Sequence, residues 1–154
     1  MPVPDANTRV EGLISGQFDF ADSLPVSAYE RVEASGTAKP VIYENTGWAS
    51  LNMNMKEGLL TKKELRQAVQ VALNPNDMML AAFSDERFFS IDGSFFPKGS
   101  AWYTEAGVAR YGEGDPEAAA KLLAEAGYDG TPIRLLTSRQ YEFHYKMAQV
   151  AAEY

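Results

Sequence analysis

An α/β fold, with α+β layering as its alternative, is what these 154 residues predict. Three observations carry that expectation. Short stretches of alternating apolar and polar residues take turns along the chain with stretches whose apolar residues recur every three to four positions. Helix starts are marked by capping residues, most plainly Asp115 before Pro116 and Asn74 before Pro75. Hydrophobic residues make up 45% and charged residues 23%, a globular composition long enough to bury a core.

Taken in order, residues 6–15 predict a short helix, capped by Asp5 or Asn7, with Val10, Leu13 and Ile14 inward and Gly16 closing it. Phe18 to Ala21 alternates as a short strand would. Pro25 opens a second helix through Val26, Tyr29 and Val32, ending near Ser35-Gly36. Pro40 to Asn45 and Trp48 to Asn54 read as two strands separated by a break at Asn45-Thr46-Gly47. In the second, Leu51, Met53 and Met55 alternate with Asn52 and Asn54.

Thr61-Lys62-Lys63-Glu64 has the spacing of a capping box, and the helix after it carries Leu65, Ala68, Val69, Ala72 and Leu73. Asn74-Pro75 restarts the chain as a helix over 75–83. Residues 84–113 show no period but are rich in Phe, Gly and Ser, and long irregular stretches of this kind are usually functional or wrapped over a neighbour. Asp115, Pro116 and Gly127 mark both ends of a helix carrying Leu122, Leu123 and Ala126. A strand over Pro132–Thr137 follows. A last helix, capped by Ser138, runs through Tyr141, Tyr145, Ala148 and Ala151. Its stripe stops at Tyr154 without Gly, Asn or a basic last turn. That pattern reads as a segment excised from a longer chain, with Met1 an added start; a natural terminal helix that frays is the other reading.

Composition closes several function classes. A net charge of −7 with no basic stripe sets nucleic-acid binding aside. Without cysteine there is no disulfide, thiolate nucleophile or thiolate-held metal. No apolar run approaches the ~18 residues of a membrane span, and Met-Pro-Val-Pro-Asp lacks the basic and apolar regions of a signal peptide. His144, the single histidine, sits among aromatics on the last helix with no base or nucleophile partner in the pattern. Asp19 and Asp22 fit strand alternation and turn capping better than a catalytic pair. Gly112-Glu113-Gly114 lacks the third glycine and preceding strand of a dinucleotide loop, so it reads as a turn. No catalytic residue, metal site or cofactor is expected.

Three blocks carry a resemblance: "VEGLISGQFDFAD" (Val10 to Asp22), "WASLNMNMKEGLLTKKELRQAVQVALNPNDMM", and "DPEAAAKLLAEAGY". In this order they resemble the extracytoplasmic solute-binding proteins of peptide and nickel ABC transporters, the large family 5. The first is similar to that family's helix–Gly–strand unit of the form L-x-x-G-x-x-D. In the second, Arg66, Ala68 and Ala72 occupy the family's R-x-A-hydrophobic-x-x-A positions. The chain departs at Ala72-Leu73-Asn74-Pro75-Asn76, where the family commonly has A-hydrophobic-D-R-E; Asn still caps, so the departure touches charge and not fold.

The resemblance implies a fragment of a periplasmic-binding-protein-like two-lobe fold, a mixed sheet flanked by helices. Residues 1–45 would be the end of one lobe and the crossover, and 46–154 the first part of the second lobe. It implies a non-enzymatic, periplasmic or cell-surface component of an ABC importer that holds a peptide-like small solute and hands it to the permease transmembrane subunits. Asn45, Thr46, Gly47 and Trp48 would then line the cleft at the crossover, with Trp102 as a further ligand-wall residue. Two readings of Trp48 stand side by side, a flat surface against solute or a core residue filling the hinge. Phe95, Phe96, Trp102 and Tyr103 form an aromatic cluster with the same pair of readings. Tyr141, Tyr145, Met147, Val150 and Tyr154 cover more of the last helix than one buried stripe needs, and residues 88–103 carry Phe88, Phe89, Phe95, Phe96, Trp102 and Tyr103. With so much apolar surface, self-association of the chain in isolation is expected. A fragment of a small α/β hydrolase or transferase, its catalytic residues lying elsewhere, is the alternative function.

Overall fold

The computed structural model describes residues 2–43, 47–109, 111–139 and 141–154. The chain divides into two compact units, Met1–Thr46 and Gly47–Tyr154.

The first unit is a pair of helices. Helix α1 (Ala6–Ile14) is capped by Asp5, which accepts from the Thr8 N–H at 2.7 Å and from the Thr8 hydroxyl at 2.8 Å. These hydrogen bonds hold the Asp5 carboxyl below the usual carboxylate range. A 3-10 turn (Val26–Ala28) leads into α2 (Tyr29–Ser35), which Gly36 closes in the left-handed conformation. Val10, Leu13, Ala28 and Val32 bury together, with Ile14, Ala21, Leu24 and Ala38 packed against them. The Arg9 guanidinium donates to the carbonyls of Val3, Pro4 and Ser23, pinning the segments on either side of α1. Thr37 donates its hydroxyl to the Ile14 carbonyl at 2.9 Å, and Arg31 pairs with Glu11 across the two helices.

Gly12 is demanded by a close approach. The Phe18 N–H donates to the Gly12 carbonyl at 3.0 Å, and the Phe18 ring occupies the space where a Cβ at residue 12 would stand. Gly12→Ala should therefore lower the stability of this unit by about 1–3 kcal/mol, the usual cost of overpacking. That cost outweighs the ~1 kcal/mol that alanine gains over glycine within a helix. Thermal unfolding checks it, and a stabilised variant would show that Phe18 swings aside freely.

In the second unit a 3-10 turn (Leu59–Thr61) precedes α3 (Lys63–Ala72). Next come α4 (Pro75–Phe83), a 3-10 turn (Glu86–Phe88), α5 (Pro116–Glu125) and α6 (Glu142–Ala151). Helix α3 packs on α5, and α4 on α6. Leu65, Ala68 and Val71 line the buried face of α3, and Ala119 faces inward from α5. Backbone and side-chain ties reinforce the first pair. The Asp115 N–H donates to the Val71 carbonyl, and Lys62 Nζ to the Ala126 carbonyl, each at 2.9 Å. Between α4 and α6 the Phe83 and Phe143 rings stack at 5.8 Å, and the Tyr154 hydroxyl donates to Asp77 at 2.6 Å. The caps at Asn74 and Asp115 form as expected, Asp115 accepting from the N–H groups of both Glu117 and Ala118. At the far end of α5, Gly127 is left-handed and the Tyr128 N–H reaches back to the Leu123 carbonyl.

The mixed sheet is overturned. Among the described residues there is no strand, and the described architecture is helical. The segments expected as strands, 18–21, 40–45, 48–54 and 132–137, are irregular wherever they are described; Glu44 and Asn45 lie outside the described residues. Alternation is a local property, whereas a strand exists only when its N–H and C=O groups meet a neighbour. Described residues of 38–43, 47–57 and 129–139 make no backbone–backbone hydrogen bond with one another. Several of their large apolar side chains stay in the open, among them Val41, Tyr43 and Leu136, the last at 97% exposure.

Two expected helix starts are corrected as well. Thr61 does not cap α3: it ends the preceding 3-10 turn, and its hydroxyl donates to the Gly58 carbonyl at 2.8 Å. Lys62 stands at the cap position, while Arg66 reaches back to the carbonyls of Leu60 and Thr61. Helix α6 likewise begins at Glu142 with Tyr141 at the cap position, not at Ser138.

Candidate ligand-binding surface

Of the residues expected to line a cleft, Asn45 and Thr46 lie outside the described residues. Gly47 opens the second unit and is exposed, with no heavy atom beyond its chain neighbours within 4 Å of where a Cβ would stand. Trp48 and Trp102, 54 positions apart, are brought into one run of rings. The Trp48 and Phe95 centroids lie 4.9 Å apart at a 59° tilt, and Phe96 meets Trp48 edge-on at 6.4 Å. Phe95 and Phe96 contact at 5.2 Å, and Phe96 reaches Trp102 at 6.5 Å. All four pairs lie in the separation range that aromatic rings prefer.

This run is not a core. Trp48 is 58% exposed, Phe95 64% and Trp102 74%, while Phe96, which touches the other three, is 36% exposed. Trp48 therefore does not fill the interior of its unit. Phe95 and Phe96 are the residues that sequence reasoning underweighted. They stood in the aromatic cluster, but only the structure makes them the bridge between the two tryptophans.

Polar contacts hold the loop that presents the rings. Ser94 donates its N–H to Asp92 Oδ1 at 2.8 Å, and the Thr104 N–H donates to Ser94 Oγ at 3.4 Å. The second contact ties the stretch bearing Phe95 and Phe96 to the stretch bearing Trp102. Reverse turns close at Ser100 onto Pro97 and at Tyr103 onto Ser100. The Tyr103 hydroxyl donates to Glu105 at 3.2 Å and is held above its ordinary range, first by burial, then by the charges of Asp92 and Glu105. The Tyr111 ring sits where a Cβ on Gly93 would be, and burial with the nearby Asp92 charge pushes its hydroxyl up too.

Elsewhere the surface offers little chemistry. His144 lies against the Phe143 and Tyr141 rings, at 4.2 and 5.5 Å. Asp22 accepts from the Ser23 N–H, the turn-capping role expected of it. Gly112, in a turn, and Gly114, just before α5, both take positive φ. Among the described residues no group of His, Asp and Glu has the arrangement to hold a metal, and no helix is long and apolar enough to cross a membrane. A shallow apolar groove runs along α6 between Leu135, Thr137, Tyr145, Ala148, Gln149 and Ala152.

Comparison with known proteins gives two findings. The family model described as bacterial extracellular solute-binding proteins, family 5 Middle, matches residues 1–154. The chain is also 26% identical over 150 residues to a Sinorhizobium fredii (strain NBRC 101917 / NGR234) protein named "Probable peptide ABC transporter periplasmic-binding protein y4tO". That match takes in 96% of this chain and 28% of the relative, so the chain spans little more than a quarter of the relative's length.

Proposed function

The chain belongs to the bacterial extracellular solute-binding proteins of family 5, and from that premise we propose that it is part of the solute-binding component of an ABC importer for peptides. Membership makes its role non-enzymatic binding at an extracytoplasmic location, which removes the hydrolase or transferase alternative. The single observation that carries the reading is the family match along all 154 residues. The relative's name supplies the peptide and the transporter.

In this reading residues 1–45 close one lobe and form the crossover, and residues 46–154 begin the second lobe. The lobes close on solute by a hinge motion and present the closed form to the permease transmembrane subunits. Asn45, Thr46, Gly47 and Trp48 line the cleft, and Trp102 extends its wall through Phe95 and Phe96. The open ring faces support this, because flat aromatic surface is effective in gripping a solute and costly to leave in water. The same exposed rings favour self-association when these residues stand alone.

The test uses the gene product with whatever its reading frame encodes on either side of these residues. A thermal-shift screen against di- to pentapeptides should raise the melting temperature with a subset of them. A screen in which no peptide raises it would overturn the reading. Trp48→Ala should weaken binding of a peptide so found by roughly 1–3 kcal/mol, the scale of a well-placed aromatic contact, without lowering the melting temperature of the free protein. Unchanged affinity would remove Trp48 from the site.

A further inference from the structure

The loop that presents the aromatic run also carries two carboxylates. Asp92 stands two residues before Ser94, and Glu105 directly follows Thr104, the two residues whose hydrogen bond joins the halves of the loop. The charges of both act on Tyr103, the immediate neighbour of Trp102, and Asp92 also acts on Tyr111. Neither loop carboxylate belongs to the ion pairs Arg31–Glu11, Arg87–Asp85 and Lys146–Glu142 seen among the described residues. Lys98, in the same loop, pairs with neither of them among the described residues. The cation–ring contacts seen among the described residues, Arg87 over Phe88 and Arg139 over Tyr145, lie on other rings than the four of the run.

We infer that this surface receives a basic side chain of the peptide solute, its aliphatic stem and charged head laid on the Trp48–Phe95–Phe96–Trp102 rings and its ammonium or guanidinium held by Asp92 and Glu105. Both halves of the arrangement favour the same occupant. Ring faces attract a cation through their quadrupole and cover an apolar stem, and carboxylates form charge-assisted hydrogen bonds with the head. A neutral apolar side chain would satisfy the rings alone, and an acidic one would meet like charge. The inference rests on the peptide-binding reading given above.

Calorimetric titration of the gene product with Ala-Lys-Ala, Ala-norleucine-Ala and Ala-Glu-Ala separates the two. The lysine peptide should bind about tenfold more tightly than its neutral isostere, with the glutamate peptide weakest. The double variant Asp92→Asn, Glu105→Gln preserves an acceptor for the Ser94 N–H and should bring the lysine-to-norleucine ratio near one. Its melting temperature should not change. Equal binding of all three peptides, or a lysine preference that survives the double variant, would overturn this inference alone. No binding of any of the three, with no peptide stabilising the protein in the broader screen, would overturn the peptide reading and this inference together.

Discussion

Replacing Leu65 with alanine is expected to destabilise the second unit by about 2–5 kcal/mol, the range for emptying a fully buried leucine site. Leu65 is 0% exposed on the face of α3 that packs against α5, flanked by Ala68 and Val71, both also buried. Ala68 on the same face of α3 and Ala119 on the buried face of α5 are too short to refill the space, so the cavity term adds to the lost transfer energy. Domains are stable by only ~5–15 kcal/mol, so a loss of this size shifts the folded population heavily. Denaturant unfolding with a lowered midpoint and unchanged slope is the expected result. A loss below 1 kcal/mol would mean that α3 and α5 are less firmly packed than the burial of Leu65 requires.

Alone, the 154 residues should bind peptide solutes more weakly than millimolar. Ligand sites bury most of their solute's surface. Here the rings form an open run, and Trp102 keeps 74% of its own surface exposed. Aromatic contacts are worth ~0.5–1.5 kcal/mol each beyond burial, and the cost of immobilising a flexible peptide offsets several of them. A millimolar constant already requires about −4 kcal/mol, and a micromolar one about −8. Calorimetry on the isolated chain checks this. Micromolar binding there would show that the site is complete within these residues.

The helices were legible because their signals are local. Asp5, Asn74 and Asp115 each satisfy backbone N–H groups within three residues of themselves, and Gly36 and Gly127 close helices through their own conformation. Where local signals compete, sequence reasoning chose wrongly. Thr61 has the spacing of a capping box, yet its hydroxyl is taken by the Gly58 carbonyl in the preceding turn. The strands were misread for a different reason. Val41, Tyr43 and Leu51 alternate correctly, but alternation says nothing about whether a neighbouring backbone is present, and among the described residues none pairs with them. Family membership was legible from the three motif blocks even though no strand of the sheet expected with it forms among the described residues. Of the candidate surface, the presence of exposed aromatics was readable. That Phe95 and Phe96 would carry Trp48 across to Trp102 was not, because that contact depends on loop closure through Ser94 and Thr104.

Both tryptophans of these residues belong to the aromatic run, so their emission reports on it directly. Titrating the gene product with a stabilising peptide while following tryptophan fluorescence, in parallel with the Trp48→Phe, Trp102→Phe variant, isolates their signal as a difference. A saturable blue shift in that difference, with the variant binding more weakly, is the expected result. A difference spectrum that does not move while peptide binds with unchanged affinity would contradict the placement of solute on this surface.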